Sequence, residues 1–302
     1  MSVDATPRNL HYGVFYGLTP LPQDKPLLLV HGNCQAESLR VLLQGCYPDA
    51  VTTARLVPAH EMTADDVPHL RRLLACASLL VTQPIVKSYR GLPIGTADLH
   101  EAAPQLTNCV VPVLRWAGLH PTQAIVRSSE GEPPLVPYHD LRTVLEAATG
   151  RRTRIRLAAA RTLREMSLAA LRERTNRHGA LVVDDLLARR GERTVHVVNH
   201  PTNAVLTGVA GRIGERLALG APRAFDPGRV LLGSVVAPIE EAAAAVNDLA
   251  PDTDDTWVVH GECVPSERIR EAHLAWYSRH PRGLDDALAR HASALHILES
   301  AA

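Results

Sequence analysis

The residues best suited to chemistry follow an apolar run near the start of the chain. Leu27–Val30 is continuously apolar, as a strand buried on both faces of a parallel sheet would be. The next five residues are His31-Gly32-Asn33-Cys34-Gln35, and helical periodicity begins at Gln35. A cysteine in the first turn of a helix lies near unpaired backbone N–H groups and the positive end of the helix dipole, which lower the pKa of a thiol. The pattern predicts that Cys34 is a nucleophile, and the alternative is a small cysteine that only fills space beside the sheet.

The residues just before Cys34 suit a sharp turn from strand to helix. Gly32 permits a tight turn, and Asn33 tolerates an unusual backbone conformation, as a nucleophile elbow requires. His31 could place a second imidazole near the thiol. We do not assign it the role of base, because the last side chain of a strand can point into either layer.

A candidate base lies far along the chain, in Asn199-His200-Pro201. This segment follows a predicted strand at Val195–Val198, which we expect to end at the same edge of the sheet as Cys34. His200 could hold the thiolate as an ion pair, or it could accept a proton from an incoming hydroxyl or amine. The alternative is a histidine that caps a helix or packs in the core.

A third segment, Thr82-Gln83-Pro84-Ile85, also follows a predicted strand. The side-chain amide of Gln83, with the amide of Asn33 and the backbone N–H of Cys34, could surround the oxyanion that forms when an acyl carbonyl is attacked. A glutamine that closes its own loop is an equally good interpretation. Taken together, the three segments predict acyl transfer through a cysteine.

Strands alternate with helices through the first part of the chain, which predicts an α/β fold with a doubly wound, mostly parallel sheet in three layers. Residues 1–302 are expected to form a single domain, with a helical cap over about 138–190 and a C-terminal helical segment over about 264–300. A helix is predicted from Gln35 to Gln44, ending at Gly45. The other elements predicted for the sheet region are strands at Thr53–Val57, Ser78–Thr82 and Cys109–Leu114, a helix at Asp66–Ala75, and a loop at Gln83–Ala97.

Composition narrows the class of protein. Basic and acidic residues both number 32 among 302 residues, so no net field attracts nucleic acid or an anionic membrane. Five cysteines at irregular spacings form neither a disulfide framework nor a zinc pattern, which predicts reduced thiols and no metal. We see no signal peptide and no apolar stretch of roughly 20 residues that could cross a membrane, so a cytoplasmic location is expected.

The motifs as a set resemble a known family, the WcbI polysaccharide-biosynthesis proteins, to which acetyltransferase activity is attributed. The resemblance implies a coenzyme A (CoA) site and a Cys-His pair that passes an acyl group to a sugar or another hydroxyl acceptor. It also suggests distant similarity to SGNH hydrolases, although the aspartate usual there shortly before the late histidine is absent. The matching residues are Gly32-Asn33-Cys34-Gln35, Gln83-Pro84-Ile85 with Tyr89, Val111-Pro112 with Gly118 and Pro121, and Asn199-His200-Pro201.

The implied CoA site draws on residues near these motifs. Lys87 and Arg90 are candidate partners for the phosphates of CoA, and the arginines between 151 and 164 could bind its 3′-phosphate in bidentate fashion. The alternative, which is the more common situation for any single arginine, is a solvated helical face. The expected catalytic residues are Cys34, His200, Gln83 and Asn33, and the expected CoA-binding residues are Gly32, Gln35, His31, Lys87, Tyr89, Arg90 and Asn199.

The sequence leaves alternative functions open, two of which use Cys34 as the nucleophile and one of which involves no chemistry. The donor could be an aminoacyl-tRNA, or the acceptor could be water, which would make the protein a thioesterase. A different class is a binding module that holds CoA or a nucleotide at the edge of the sheet without chemistry. The sequence leaves the acyl group, the acceptor and the oligomeric state open.

Overall fold

The computed structural model describes residues 6–22 and 24–300, and their contacts divide them into two compact units. The first unit comprises the described residues up to Val113, with Glu173–Val183 and Asn203–Leu231. The second comprises the remaining described residues from Leu114 onward. The predicted cap at 138–190 therefore contributes residues to both units, and its assignment as a cap stays a prediction.

Short strands and helices alternate along both units. In chain order, the strands are β1 Leu27–His31, β2 Thr52–Thr53, β3 Leu79–Thr82, β4 Thr107–Val110, β5 Gln123–Ala124, β6 His139–Asp140, β7 Val195–Val197, β8 His200–Pro201, β9 Val235–Val236, β10 Thr256–Val259 and β11 Glu262–Pro265. The α-helices are α1 Pro7–His11, α2 Gly13–Tyr16, α3 Cys34–Cys46, α4 Val67–Cys76, α5 Thr96–Ala102, α6 Leu141–Thr149, α7 Leu157–Arg177, α8 Asp184–Leu187, α9 Asn203–Arg216, α10 Glu241–Val246, α11 Ser266–Tyr277, α12 Pro281–Arg290 and α13 Ala292–Ser300. No helix within residues 6–22 or 24–300 has the length and apolar character needed to span a membrane.

The first unit is built on a parallel sheet with the strand order β2-β1-β3-β4. Leu28 of β1 pairs with Thr53 of β2 on one side and with Leu79 of β3 on the other. Strand order reverses between β1 and β3, and open α/β sheets bind ligands at the carboxyl ends of the strands beside such a switch point. The α/β fold with a doubly wound parallel sheet is thus confirmed, and its switch point lies where Cys34 and Gln83 follow their strands.

Two predicted strands are shorter than expected. β2 stops at Thr53, whose N–H donates to the side-chain oxygen of Gln44 rather than to a neighbouring strand. β4 stops at Val110; Val111 still donates to the Thr82 carbonyl, but Pro112 has no N–H to offer the sheet.

The prediction that Gly45 ends the helix after β1 is wrong. α3 continues through Gly45 to Cys46. A Cβ at position 45 would lie 2.3 Å from the ring of Phe225, so this glycine accommodates an aromatic ring and does not terminate the helix.

The second unit holds small antiparallel sheets, which corrects one expectation. The strand before His200, β7, pairs antiparallel with β8 and is not part of the parallel sheet. The prediction that Val195–Val198 belongs to the parallel sheet that ends beside Cys34 is therefore wrong, because the chain reverses at Asn199 and β8 pairs with β7. A second hairpin, β10–β11, pairs with β9, and helices α11, α12 and α13 pack on α6.

Helix α9 supports helix α3 through a close contact at a glycine. A Cβ on Gly214 would lie 2.0 Å from the hydroxyl of Tyr47, which is itself buried. A Cβ on Gly211, one turn earlier in α9, would have no atom of the described residues within 4 Å.

We expect Gly214→Ala to lower the free energy of unfolding by about 1–3 kcal/mol, because the added methyl group overpacks the contact with Tyr47. Gly211→Ala is the matched control and is expected to raise it by about 1 kcal/mol through helix propensity. Urea unfolding of the two variants measures both effects. Equal stability of the two would contradict this account of the contact between α3 and α9.

Candidate functional site

Cys34 is the first residue of α3, directly after a capped turn. Asn33 is the N-cap, with extended backbone angles, and its side-chain oxygen accepts the N–H of Gln35 at 2.9 Å. The Cys34 thiol is half-buried. The expected strand-turn-helix placement is present, and the side chain of Asn33 serves the helix cap.

The predicted lowering of the thiol pKa is not what the structure gives. Burial raises the pKa of Cys34, and this outweighs the hydrogen bonds from the N–H groups of Gln35 and Cys34, which act in the opposite direction. Desolvation of a thiolate thus exceeds the stabilisation that the helix start offers. In the free protein Cys34 is held as a neutral thiol beside donors suited to a thiolate.

Gln83 joins the ends of β1 and β3. Its side chain is 2% exposed. Its Oε1 accepts the N–H of Asn33 at 2.9 Å, and its Nε2 donates to Oε1 of Gln35 at 2.9 Å. A Cβ at Gly32 would lie 2.3 Å from Gln83 Oε1, so only glycine leaves room for this amide. These contacts position the turn that carries Cys34, and the role of Gln83 at an oxyanion stays a prediction.

His31 is buried and is the last residue of strand β1. Its Nε2 lies 2.9 Å from the carbonyl oxygen of Ile94, a partner that requires Nε2 to carry the proton. Burial lowers the pKa of His31 to about 4, so the ring is neutral. It ties β1 to the loop that follows β3, and its predicted contact with CoA stays a prediction.

Three residues that were predicted to bind CoA lie on the segment after β3: Lys87, Tyr89 and Arg90. Lys87 is exposed and donates to both carboxylate oxygens of Glu101, at 2.6 and 2.8 Å. Arg90 is exposed and donates to the carbonyl of His60. Tyr89 packs its partly buried ring against the core of the first unit. Each basic group thus has a protein partner, and their binding of CoA stays a prediction.

His200 lies in a small aromatic cluster of the second unit. The hydroxyl of Tyr138 donates to Oδ1 of Asn199 at 2.9 Å and lies 3.4 Å from Nε2 of His200. The Tyr138 and His200 rings meet edge to face, 6.1 Å between centroids. Tyr138 could not be identified from the sequence, because it lies 61 positions from Asn199 and no local pattern connects the two residues.

The electrostatics of His200 distinguish between its two predicted roles. Burial, with a smaller contribution from the neighbouring His196, lowers the pKa of His200 to about 4, and a backbone hydrogen bond at Leu232 opposes both. A neutral imidazole suits a proton acceptor and not the cation of an ion pair. Since Cys34 belongs to the first unit and His200 to the second, their pairing stays a prediction.

The arginine-rich segment does not act as one surface. Arg164 is buried; its Nε donates to Asn247 Oδ1 at 2.8 Å and its guanidinium lies 5.3 Å from the ring centroid of Trp116. Its expected contact with a phosphate is therefore wrong, because the guanidinium is enclosed by protein. Arg151, Arg154 and Arg156 line a cavity of about 330 Å³ in the second unit.

The described residues contain no cluster of three or more histidine, cysteine, aspartate or glutamate side chains arranged to hold a metal ion. The turn that carries Cys34 is built from side-chain amides and backbone N–H groups. Such groups bind carbonyl oxygens and developing negative charge.

Comparisons with known proteins bear on this arrangement. A family model described as "Polysaccharide biosynthesis enzyme WcbI" matches residues 27–222. Among solved structures, the chain is similar to one described as WcbI, a polysaccharide biosynthesis enzyme, in its native form without a disulfide bond between CoA and one of its cysteines. The TM-score is 0.75 at 20% identity, covering 92% of this chain and 99% of that chain, which shows a shared fold. A comparison with curated proteins gives no match.

In the free protein we expect iodoacetamide to modify Cys34 slowly at neutral pH. The alkylation rate should increase with pH, and the pH at the midpoint of this increase should lie above that of a small model thiol. The reason is that burial raises the pKa of Cys34, so the thiolate fraction at neutral pH is small. Alkylation followed by peptide mass spectrometry across pH measures it, with the exposed Cys76 and Cys263 replaced by serine. A midpoint below that of the model thiol would show that the helix start dominates.

Proposed function

Because this chain belongs to the WcbI family of polysaccharide biosynthesis enzymes, we propose that it transfers an acyl group from CoA to a hydroxyl or amine acceptor through a thioester on Cys34. One observation carries the proposal. A half-buried thiol begins helix α3 at the switch point of the parallel sheet, where the N–H groups of the helix start favour negative charge on its sulfur.

The first step is attack of the Cys34 sulfur on the acyl carbonyl of the donor. A new C–S bond forms, the bond to the CoA sulfur breaks, and the proton of Cys34 passes to the departing thiolate. Because one thiol replaces another, this exchange is nearly balanced in energy and needs no external reactant. The N–H groups of Gln35 and Cys34 stabilise the sulfur while it carries negative charge.

The second step returns the acyl group to an acceptor. A hydroxyl or amine attacks the thioester, its proton goes to a base, and the Cys34 sulfur leaves. We propose His200 as that base, since its pKa is lowered to about 4 and the ring is therefore free to accept a proton at neutral pH. The Tyr138 hydroxyl lies 3.4 Å from Nε2 of His200, and the two rings pack edge to face. Asn199 in turn accepts a hydrogen bond from that hydroxyl and so holds Tyr138 in place.

The choice of CoA as donor has a separate basis. The similar WcbI structure is described with CoA and a cysteine. In this chain Lys87 and Arg90 are exposed on the loop after β3, and we propose that they contact the phosphates of CoA, with Lys87 exchanging Glu101 for phosphate. His31, Gly32, Gln35, Tyr89 and Asn199 stay proposed contacts of the cofactor.

One observation favours a second candidate, a CoA-binding module without turnover. The raised pKa of the Cys34 thiol makes it a weak nucleophile at neutral pH in the free protein. Such a module would bind CoA and form no acyl-enzyme, so the mass of the protein after exposure to acyl-CoA separates the two functions.

Incubation with acetyl-CoA is expected to add one acetyl group to the protein, by intact mass, in a form that hydroxylamine removes. Cys34→Ser should abolish this thioester while leaving CoA affinity nearly unchanged, because only the reacting sulfur is replaced. Cys76→Ser, at an exposed cysteine, is the matched control and should acylate like the wild type. Unchanged turnover in Cys34→Ser would falsify the nucleophile, and CoA binding without an adduct would favour the binding module.

Replacement of His200 should affect the second step alone. We expect His200→Gln to slow transfer to the acceptor about a hundredfold or more while the acyl-enzyme accumulates, because the base contributes only when the acceptor loses its proton. Wild-type transfer should fall as pH drops toward about 4, where His200 becomes protonated. Equal slowing of acylation and transfer, measured in single-turnover experiments, would contradict this role.

A further inference from the structure

A long groove crosses the surface of the second unit, with a deep recess opening from it. The groove encloses about 1200 Å³ and the recess about 60 Å³. The two share walls formed by Asp140, Arg142, Thr143, Pro238, Glu240, Ser266 and Arg270. We propose that this groove binds the acceptor, a neutral oligosaccharide, with one sugar hydroxyl directed into the recess. Its identification as the acceptor site rests on the proposed function, whereas saccharide binding itself does not.

The net charge of the groove disfavours an anionic ligand. Its lining holds eight carboxylate side chains and four guanidinium groups. The excess of negative charge repels the phosphates of CoA, of a nucleotide or of an acidic polysaccharide. A neutral polyhydroxyl chain has no such penalty, because its hydroxyl groups donate to carboxylates and accept from guanidinium groups.

The polar groups of the groove are held in fixed positions. Arg142 donates to Asp140 at 3.0 Å through Nε and to Glu240 at 2.9 Å through one terminal nitrogen. Arg270 in the same way contacts Glu146 at 2.7 Å and Glu267 at 3.0 Å. Charges fixed in this way need little reordering when a ligand binds, which favours affinity for weakly interacting hydroxyl groups.

Three further carboxylates on the groove are unpaired among the described residues. Glu241, Asp254 and Asp255 are exposed on the lining, and their carboxyl groups make no hydrogen bond or ion pair with the rest of the described chain. Paired oxygens of a carboxylate match two neighbouring hydroxyl groups of a sugar ring. These residues are therefore available to a ligand at no cost in internal contacts.

The recess supplies a buried acceptor for a hydroxyl. His120, 4% exposed, lines it, and its Nε2 has no partner among the described residues, while the ring forms a hydrogen bond with the Val195 backbone. An unpartnered buried ring nitrogen is costly unless a ligand or water satisfies it. A sugar hydroxyl that enters the recess would donate to this nitrogen.

The recess also leads to the proposed base. Its wall includes Tyr138 and Trp257, whose rings stack with 6.5 Å between their centroids. The hydroxyl of the same Tyr138 lies 3.4 Å from Nε2 of His200. Tyr138 therefore contacts both the recess and the histidine that we propose as the proton acceptor, all within the second unit.

The test is calorimetric titration of the full chain, without acyl-CoA, with maltohexaose, mannohexaose and galactohexaose. We expect wild type to bind at least one of them. Asp254→Ala with Asp255→Ala should weaken that binding about tenfold, since each truncation removes a charged hydrogen-bond acceptor. Asp285→Ala with Asp286→Ala, at exposed carboxylates of α12 outside the groove, is the matched control and should bind like wild type.

Three results would overturn the inference: binding of none of the three oligosaccharides, equal affinity of the two double variants, or competition between CoA and the bound oligosaccharide. Acylation of Cys34, measured by mass in the same variants, tests the proposed function separately. If acylation fails while the titrations follow the expected pattern, the groove remains a saccharide site and the acyl transfer is wrong. If acylation succeeds and the titrations fail, only the groove assignment is lost.

Discussion

The arrangement around Cys34 depends on one buried amide. Gln83 follows β3 and forms hydrogen bonds to the Asn33 backbone and the Gln35 side chain, both of which follow β1. Its position requires the absence of a side chain at Gly32. Two strands that are neighbours in space but 50 positions apart in sequence are thereby held in register at the turn where the thiol begins its helix. Because the amide is buried, any displacement would leave both of its polar atoms unpaired, which makes the turn rigid.

Rigidity at this turn has an electrostatic counterpart. The thiol is placed where a helix start favours an anion, yet burial keeps it neutral in the free protein. An environment that penalises charge before reaction and offers donors once charge develops is suited to a sulfur that is anionic only during acyl exchange. Burial likewise lowers the pKa of His200 to about 4, so its ring is neutral and able to accept a proton at neutral pH.

Local sequence patterns predicted the parts of the fold that depend on local contacts. The apolar run of β1, the start of α3 and the strand β3 all lie within one residue of their predicted bounds, and Cys34 has its expected place. Interactions between distant segments were not predictable in this way. Strand β7 has the composition of a parallel strand, but its pairing with β8 depends on a reversal at Asn199. In sequence, Arg164 cannot be distinguished from the exposed arginines before it, because its burial depends on contacts with the distant residues Trp116 and Asn247.

The order in which the chain visits its two units bears on synthesis. The sheet that carries Cys34 is complete at Val110, but α3 packs on α9, whose last residue is Arg216. Before α9 emerges from the ribosome, α3 can pack on β1 and β2, but the side that contacts α9 stays uncovered. The segment from Leu114 to Arg172 lies between them in the chain. The first unit therefore cannot mature as an uninterrupted N-terminal piece. The helix that begins at Cys34 gains its last packing partner only after much of the other unit has been translated.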